Sequence, residues 1–312
     1  MSEIKNKSLT IRAPAKINLH LEVIGKRKDG YHELAMIMQS IDLSDILEIE
    51  PNNEGHINLF SNNKELSLNE DNLINKAAIL LKQISGNKNL GASINLEKNI
   101  PIGAGLGGGS SDAAATLIGL NQLWELNLSY NDILHLACKL GSDVPFCVNG
   151  GSQFCFGRGE ILEKYNFESN YALILLKSTE LSISTSEIYK KYSQKYKKFM
   201  SLTDTKIKNI RTNLKLKDFT NTNIFRKEIL IQNDLQKIVL KENKSVNKAL
   251  NLLSGINDSL SISMSGSGPS CYAIFDNFQI AKKNYDNNIE IFNKSGFDAW
   301  VCNFINNGIT FN

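Results

Sequence analysis

The residues of this 312-residue chain best suited to chemistry are those with the least side chain. The segment "PIGAGLGGGSS" comprises Pro101, Ile102, Gly103, Ala104, Gly105, Leu106, Gly107, Gly108, Gly109, Ser110 and Ser111, so five of the seven positions from 103 to 109 are glycine. A backbone without Cβ reaches positive φ and brings its N–H groups close to a ligand. The Ala- and Leu-rich stretch that follows predicts a helix from about Ser110 to Trp124. Its first N–H groups lack intrahelical partners and carry the positive end of the helix dipole. Loop and helix start together form an anion site, most naturally for the phosphates of a nucleotide. One serine is available to cap the helix and another to face a phosphate or a magnesium ion. The competing reading is a close packing of strand on helix that merely needs small residues.

Familiar phosphate loops do not fit. "GAGLGG" matches G-x-G-x-x-G, but the dinucleotide reading needs a second strand ending in an acidic residue about 20 residues on, and that span here is helix followed by "NLSYND". No G-K-[ST] closes the loop, and no H-R-D or D-F-G set follows it. A third solution remains: strand, glycine-rich loop, and a helix opening on Ser-Ser-Asp.

The elements that must hold this loop can be read from periodicity. "SLTIRAPAKINLHLEVI" (8–24), "SDILEIEP" and "GHINLF" alternate apolar and polar residues and predict an N-terminal antiparallel set of strands, with "GKRKDGYHEL" as a charged loop. A helix is expected over 72–84, a strand over 91–100, and a second helix at "SYNDILHLACKL" with Ser129 as N-cap and Gly141 as stop. "GGSQFCFGRGEILEKY" reads as a hairpin and "NYALILLK" as a buried strand. Lys/Asn-rich helices follow, then a strand, glycine turn and strand at 259–275. Asn233-Asp234 reads as a helix N-cap. The change of texture near residue 165 is the expected domain boundary.

Composition narrows the class. The length suggests two domains, and 42% hydrophobic with 21% charged residues suits a globular protein. No apolar run is long enough for a membrane span, and the N-terminus lacks a signal-peptide core, so a cytoplasmic location is expected. Five cysteines without a C-x-x-C pair argue against a disulfide framework or a zinc site. The net charge of +3 conceals an excess of +10 between Lys190 and Lys227, which leaves −7 for the rest. That basic stretch reads as a solvated surface, a collar for an anionic small molecule, or a nucleic-acid footprint.

With these features in place, "PIGAGLGGGSSDAA" resembles the central motif of the GHMP small-molecule kinases. "APAKINLHLEV" resembles their first motif and "MSGSGPSCYAIF" their third, whose glycine turn lies against the nucleotide phosphates. The resemblance spans Pro14 to Phe275. It implies a two-domain α+β GHMP kinase fold with the active site in the interdomain cleft. Residues 1–165 would form an ATP-binding domain of the ribosomal protein S5 domain 2-like type, and residues 166–312 a ferredoxin-like substrate-binding domain. ATP and Mg2+ are the implied cofactors, with the metal's ligands left open.

"PAKINL", "DGYHEL" and "GSDVPFCVNGG" are similar to the family members that phosphorylate a tertiary hydroxyl of a cytidine diphosphate sugar alcohol, on the non-mevalonate route to isoprenoid precursors. By that resemblance Asp143 is the carboxylate that accepts the hydroxyl proton, and Lys16 donates to the hydroxyl or the moving phosphate. Tyr31 stacks on cytosine, His32 bonds the base edge, and Tyr189 covers the other face. Asn18, on the same strand face as Lys16, meets the sugar-alcohol chain, and Thr185 lies near the acceptor. Ser184 and the aromatic type at 189 depart from the family's usual Pro and Phe. No nucleic acid or membrane partner is expected, and the chain is expected to act as a monomer or weak homodimer. The rivals are another GHMP enzyme, such as a homoserine or mevalonate-pathway kinase, and a nucleotide-binding module without catalysis.

Overall fold

A computed structural model describes residues 8–52, 54–165, 170–180, 182–196, 203–216 and 232–311. Two sheets organise the chain. The first has seven strands in the order β11-β1-β2-β4-β3, with β5 paired to β2 and β6 to β5. Its frame is the long antiparallel pair β1 (Leu9–Lys26) and β2 (His32–Asn52). Strand β2 runs without a break through "HELAMIMQS", which sequence alternation alone does not single out, because the strand is buried on both faces over most of that length. Strand β4 (Gly91–Glu97) pairs with one end of β2 and β5 (Ser152–Gly157) with the other, while β6 (Ile161–Lys164) closes the hairpin.

The expected all-antiparallel pairing fails at one place. Strand β3 (Ile57–Ser61) runs parallel to β4, because helix α1 (Leu73–Ser85) connects the two and returns the chain in the same direction.

Helices α1, α2 (Gly108–Leu123), α3 (Tyr130–Leu140) and α4 (Val144–Asn149) accompany this sheet. Ala113, Ala114 and Ala115 are fully buried, and a Cβ at Gly119 would stand 2.4 Å from Ile11 Cδ1. Small residues thus let α2 lie close against β1 and hold the loop before it in a fixed position. Ser129 caps α3 in a capping box with Asp132, as its position predicts.

The second sheet is antiparallel in the order β10-β7-β9-β8, built from β7 (Ala172–Ser178), β8 (Ser261–Met264), β9 (Cys271–Phe275) and β10 (Phe297–Asn303). Helices α5 (Thr185–Lys195), α6 (Asp204–Leu216), α7 (Gln236–Glu242) and α8 (Lys244–Ser254) lie between β7 and β8, and α9 (Phe278–Lys294) lies between β9 and β10. This is the strand order of a ferredoxin-like β-α-β-β-α-β unit. The last strand, β11 (Thr310–Phe311), returns to pair with β1. Among the described residues, no helix is long and apolar enough to cross a membrane.

Candidate active site

The glycine loop is built on carbonyls held from one side. The carbonyl of Leu106 accepts the Lys16 N–H at 2.9 Å and that of Ala104 the Ser270 N–H at 3.4 Å, while Gly105 O accepts Ser265 Oγ at 3.0 Å. A trans peptide sets its C=O and the next N–H in opposite directions. The amides of Gly105, Leu106 and Gly107 are therefore turned away from β1 and from the 265–270 turn. Helix α2 starts at Gly108, so the amides of 108, 109 and 110 have no carbonyl one turn back to bond.

Two glycines are required by contact as well as by conformation. At Gly105 (φ 74°) a Cβ would fall 2.5 Å from Ser265 O, and at Gly107 (φ 71°) 3.0 Å from Lys16 Cγ. The stem of Lys16 thus crosses directly beside the loop. Close packing, read from sequence as the competitor of an anion site, is present here: the Cα faces of these two glycines lie against protein, while the neighbouring amides turn the other way.

Ser111 departs from its expected role. The helix begins two residues earlier than its sequence pattern suggests, with Gly107 as N-cap, which carries Ser111 into the helix body. Its hydroxyl donates to Pro14 O at 2.8 Å and its N–H to Gly107 O at 2.9 Å. Ser111 is fully buried and does not reach the cleft, whereas Ser110 lines it.

A cleft of about 1330 Å³ runs from residues 101–110 to Tyr31 and Tyr189. It exceeds the roughly 300–1,000 Å³ of a typical small-molecule pocket, and so has room for two ligands. Lys16 and Asn18 come from successive same-face positions of β1. Lys16 Nζ donates to Asn18 Oδ1 at 2.7 Å and lies 3.4 Å from Asp143 Oδ2. Asp143 occupies the N-cap position of α4 but its side chain makes no capping bond. Its carboxylate is a third exposed and lines the cleft.

At the far end, His32 Nε2 is 2.7 Å from Ser193 Oγ. Its ring stacks on Tyr189 with centroids 4.9 Å apart. Burial, reinforced by the charge of Lys26, holds the imidazole below its ordinary value of 6.5. Tyr31 is 52% exposed and carries the Arg158 guanidinium 4.6 Å from its ring centroid. One face of Tyr189 is thus taken by His32 and one face of Tyr31 by Arg158. Thr185, the first residue of α5, shares a 2.8 Å hydroxyl contact with Ser267.

Several residues of the site were not legible as such. The N-cap of α7 is Leu235, not Asn233 or Asp234; Asn233, two residues earlier, accepts the Leu235 and Gln236 N–H groups and also donates to Met264 O at 2.7 Å and Gly266 O at 2.8 Å. It thereby fixes the 265–270 turn. Lys98, 3% exposed, sits between Asp45 and Asp112, 2.9 Å from Asp112 Oδ2. Burial pushes the Asp112 carboxyl well above its usual range against the pull of Lys98, and Asp45 adds to the rise. Asp112 Oδ1 is buried and finds no hydrogen-bond partner. The Ser-Ser-Asp run was the available signal for Asp112; nothing in the pattern pointed to Lys98 or Arg158.

The fold and this site define a small-molecule kinase of the GHMP class. The family profile for the GHMP kinases N-terminal domain matches residues 72–151 and that for the GHMP kinases C-terminal region residues 214–292; the chain belongs to this family. It is 57% identical, over 99% of both chains, to 4-diphosphocytidyl-2-C-methyl-D-erythritol kinase of Prochlorococcus marinus subsp. pastoris. A relative of the same name from another Prochlorococcus marinus strain is 57% identical over the whole of both chains. Among solved structures, it resembles a 4-(cytidine 5'-diphospho)-2C-methyl-D-erythritol kinase at a TM-score of 0.71, with 27% identity over 95% of this chain and 99% of that one. Homoserine kinase from Cytophaga hutchinsonii, at a TM-score of 0.73 and 17% identity over 99% and 98%, shares the fold.

Proposed function

We propose that this protein transfers the γ-phosphoryl group of ATP to the 2-hydroxyl of 4-diphosphocytidyl-2-C-methyl-D-erythritol, a step of the non-mevalonate route to isoprenoid precursors. The observation that carries the mechanism is the contact of Lys16 with Asp143 beside the glycine loop, in a cleft with room for both substrates. Near-full-length identity to enzymes bearing that name supports the choice of substrate.

In this reading the amides of residues 105–110 cradle the triphosphate, and Ser110 with Pro101–Gly109 lines its path. Asp143, free of capping duty, takes the proton of the attacking hydroxyl. The new P–O bond forms as the bond between the β and γ phosphates breaks, releasing ADP. Lys16, oriented by Asn18 Oδ1, offers its remaining N–H donors to the charge on the moving phosphoryl group. Positioning and charge neutralisation carry most of such a reaction, and general-base assistance contributes roughly 10²–10⁴ in rate. Tyr31, His32 and Tyr189 hold the cytosine, and Thr185 borders the acceptor.

Among the described residues, no cluster of three or more His, Cys, Asp or Glu could hold a metal by itself. Mg2+ is commonly bound through one or two carboxylates plus substrate phosphates. The unpartnered Asp112 Oδ1 and the Ser110 hydroxyl are the groups that would hold it, and the ion would neutralise charge on the phosphates. The division of the chain near residue 165 is supported by the two sheets lying on either side of it, with β11 returning to the first. The proposal extends to a cytoplasmic monomer or weak dimer: the residues assigned to the site all come from one chain, and the five unpaired thiols, four of them buried, suit a reducing compartment.

The test is a coupled ADP-release assay with ATP and a panel of acceptors: the cytidylated methylerythritol, homoserine and mevalonate. Turnover confined to the first supports the proposal; turnover of either other acceptor at comparable kcat/KM overturns it.

A further inference from the structure

Among the described residues of the basic stretch from Lys190 to Lys227, Lys190, Ser193 and Gln194 line the cleft, and none of its cations has a role in the reaction above. Yet its described helix α6 reaches the substrate end of the first sheet. Arg211 Nη2 donates to Glu33 Oε1 at 2.9 Å, and Lys215 pairs with Glu163 of β6. The Arg211 guanidinium and the Lys215 ammonium lie 5.0 and 5.5 Å from the ring centroid of buried Phe156. Two of the four cations of α6, Arg211 and Lys215, are therefore spent on acidic and aromatic partners within the chain.

Glu33 is the hinge of this arrangement. It follows His32 directly, is 3% exposed, and its second oxygen accepts Arg27 Nη1 at 2.8 Å. Arg27 Nε reaches Asp29 Oδ2 at 3.1 Å, Asp29 Oδ1 accepts the Tyr31 N–H at 3.1 Å, and the Arg27 N–H donates to Tyr31 O at 2.8 Å. The turn that presents Tyr31 is thus fixed through Arg27, and Arg27 through Glu33. Neither Glu33 nor Arg211 is among the residues lining the cleft.

We infer that Glu33 is a positioning residue for the cytosine clamp: by bridging Arg27 and Arg211 it ties the 27–31 turn to α6, which makes the basic helix an internal strap. Without its carboxylate two guanidinium groups face each other with no charge between them, and repulsion drives the turn and the helix apart. The inference rests on the cytidine reading of Tyr31 and His32.

Steady-state kinetics on the full chain test it, with each substrate varied at saturating concentrations of the other. Glu33→Gln and Arg211→Gln are each expected to raise KM for the cytidylated alcohol about five- to tenfold while kcat and the KM for ATP stay within about twofold. The double variant should be no worse than the worse single one, since both break one bridge, and Arg211→Lys should recover most of the loss. An equal rise in the KM for ATP, a fall in kcat alone, or single effects that multiply in the double variant would each overturn the inference. Arg211→Gln leaves Glu33 paired with Arg27, so it decides the matter if Glu33→Gln does not fold. A wild-type chain unable to phosphorylate the cytidylated alcohol would instead overturn the functional reading. The strap would then be judged by thermal melts of the same variants, where additive destabilisation counts against it.

Discussion

Gly109→Ala separates a nucleotide cradle from a merely tight loop, because its effects on fold and on ligand have opposite signs. At Gly105 a methyl would stand 2.5 Å from Ser265 O and 2.9 Å from Gly268 O, both backbone atoms, so any loss of activity there is confounded with damage to the loop. At Gly109 the added Cβ meets only Leu73 Cδ1, at 3.9 Å, an ordinary contact. Gly109 lies in the first turn of α2 with helical backbone and faces the cleft. On the protein side the methyl is free of strain, and relief of glycine's backbone entropy stabilises by about 0.5 kcal/mol. On the ligand side it projects into the space read as belonging to the triphosphate. Losing one or two charge-assisted amide contacts at roughly 1.5–3 kcal/mol each raises the dissociation constant at least tenfold. Calorimetric titration with a non-hydrolysable ATP analogue, beside a thermal melt, reads both. The expected outcome is an unchanged or slightly raised Tm with ATP-analogue affinity down tenfold or more. Unaltered affinity in a protein of unaltered Tm would refute the cradle at this position.

Three further outcomes follow from the same geometry. Asp143→Asn keeps the shape of the side chain but removes its basicity and its ion pair with Lys16; kcat should fall by about 10²–10⁴ while the KM for ATP stays within a few-fold, and a kcat above a tenth of wild type in steady-state assays would contradict the base role. Lys98→Met leaves Asp45 and Asp112 buried together without their shared cation, at a cost of about 3–5 kcal/mol; thermal or urea unfolding should reveal it, and a midpoint equal to wild type would contradict the cluster's charge state. Because burial and Lys26 depress the His32 pKa, the ring is neutral at pH 7. The KM for the cytidylated alcohol should be flat above neutrality and rise on acidification, with a midpoint below 6.5. The unfolded chain binds this proton more readily than the folded one, so the residue's contribution to stability is full above 6.5 and declines as the pH falls through that value toward the folded pKa. A KM profile whose midpoint lies above 6.5, or which His32→Asn leaves unchanged, would count against a neutral ring reading the base.

Local pattern carried much of this protein. The glycine run, the Ser129 cap and the same-face spacing of Lys16 and Asn18 follow from chain geometry over a few residues, so they were legible in the sequence. The segments matching the GHMP motifs identified the family for the same reason. What the chain alone left undecided was long-range. Strand β3 runs parallel because of a crossover helix, and Ser111 turns inward because α2 starts at Gly107. Lys98 reads as an ordinary surface lysine until Asp45, 53 positions away, is folded against it. Arg211 and Glu33, 178 positions apart, show the limit most plainly. Each is an unremarkable charge on its own segment, and a buried charge acquires its meaning only from the partner that tertiary packing brings to it.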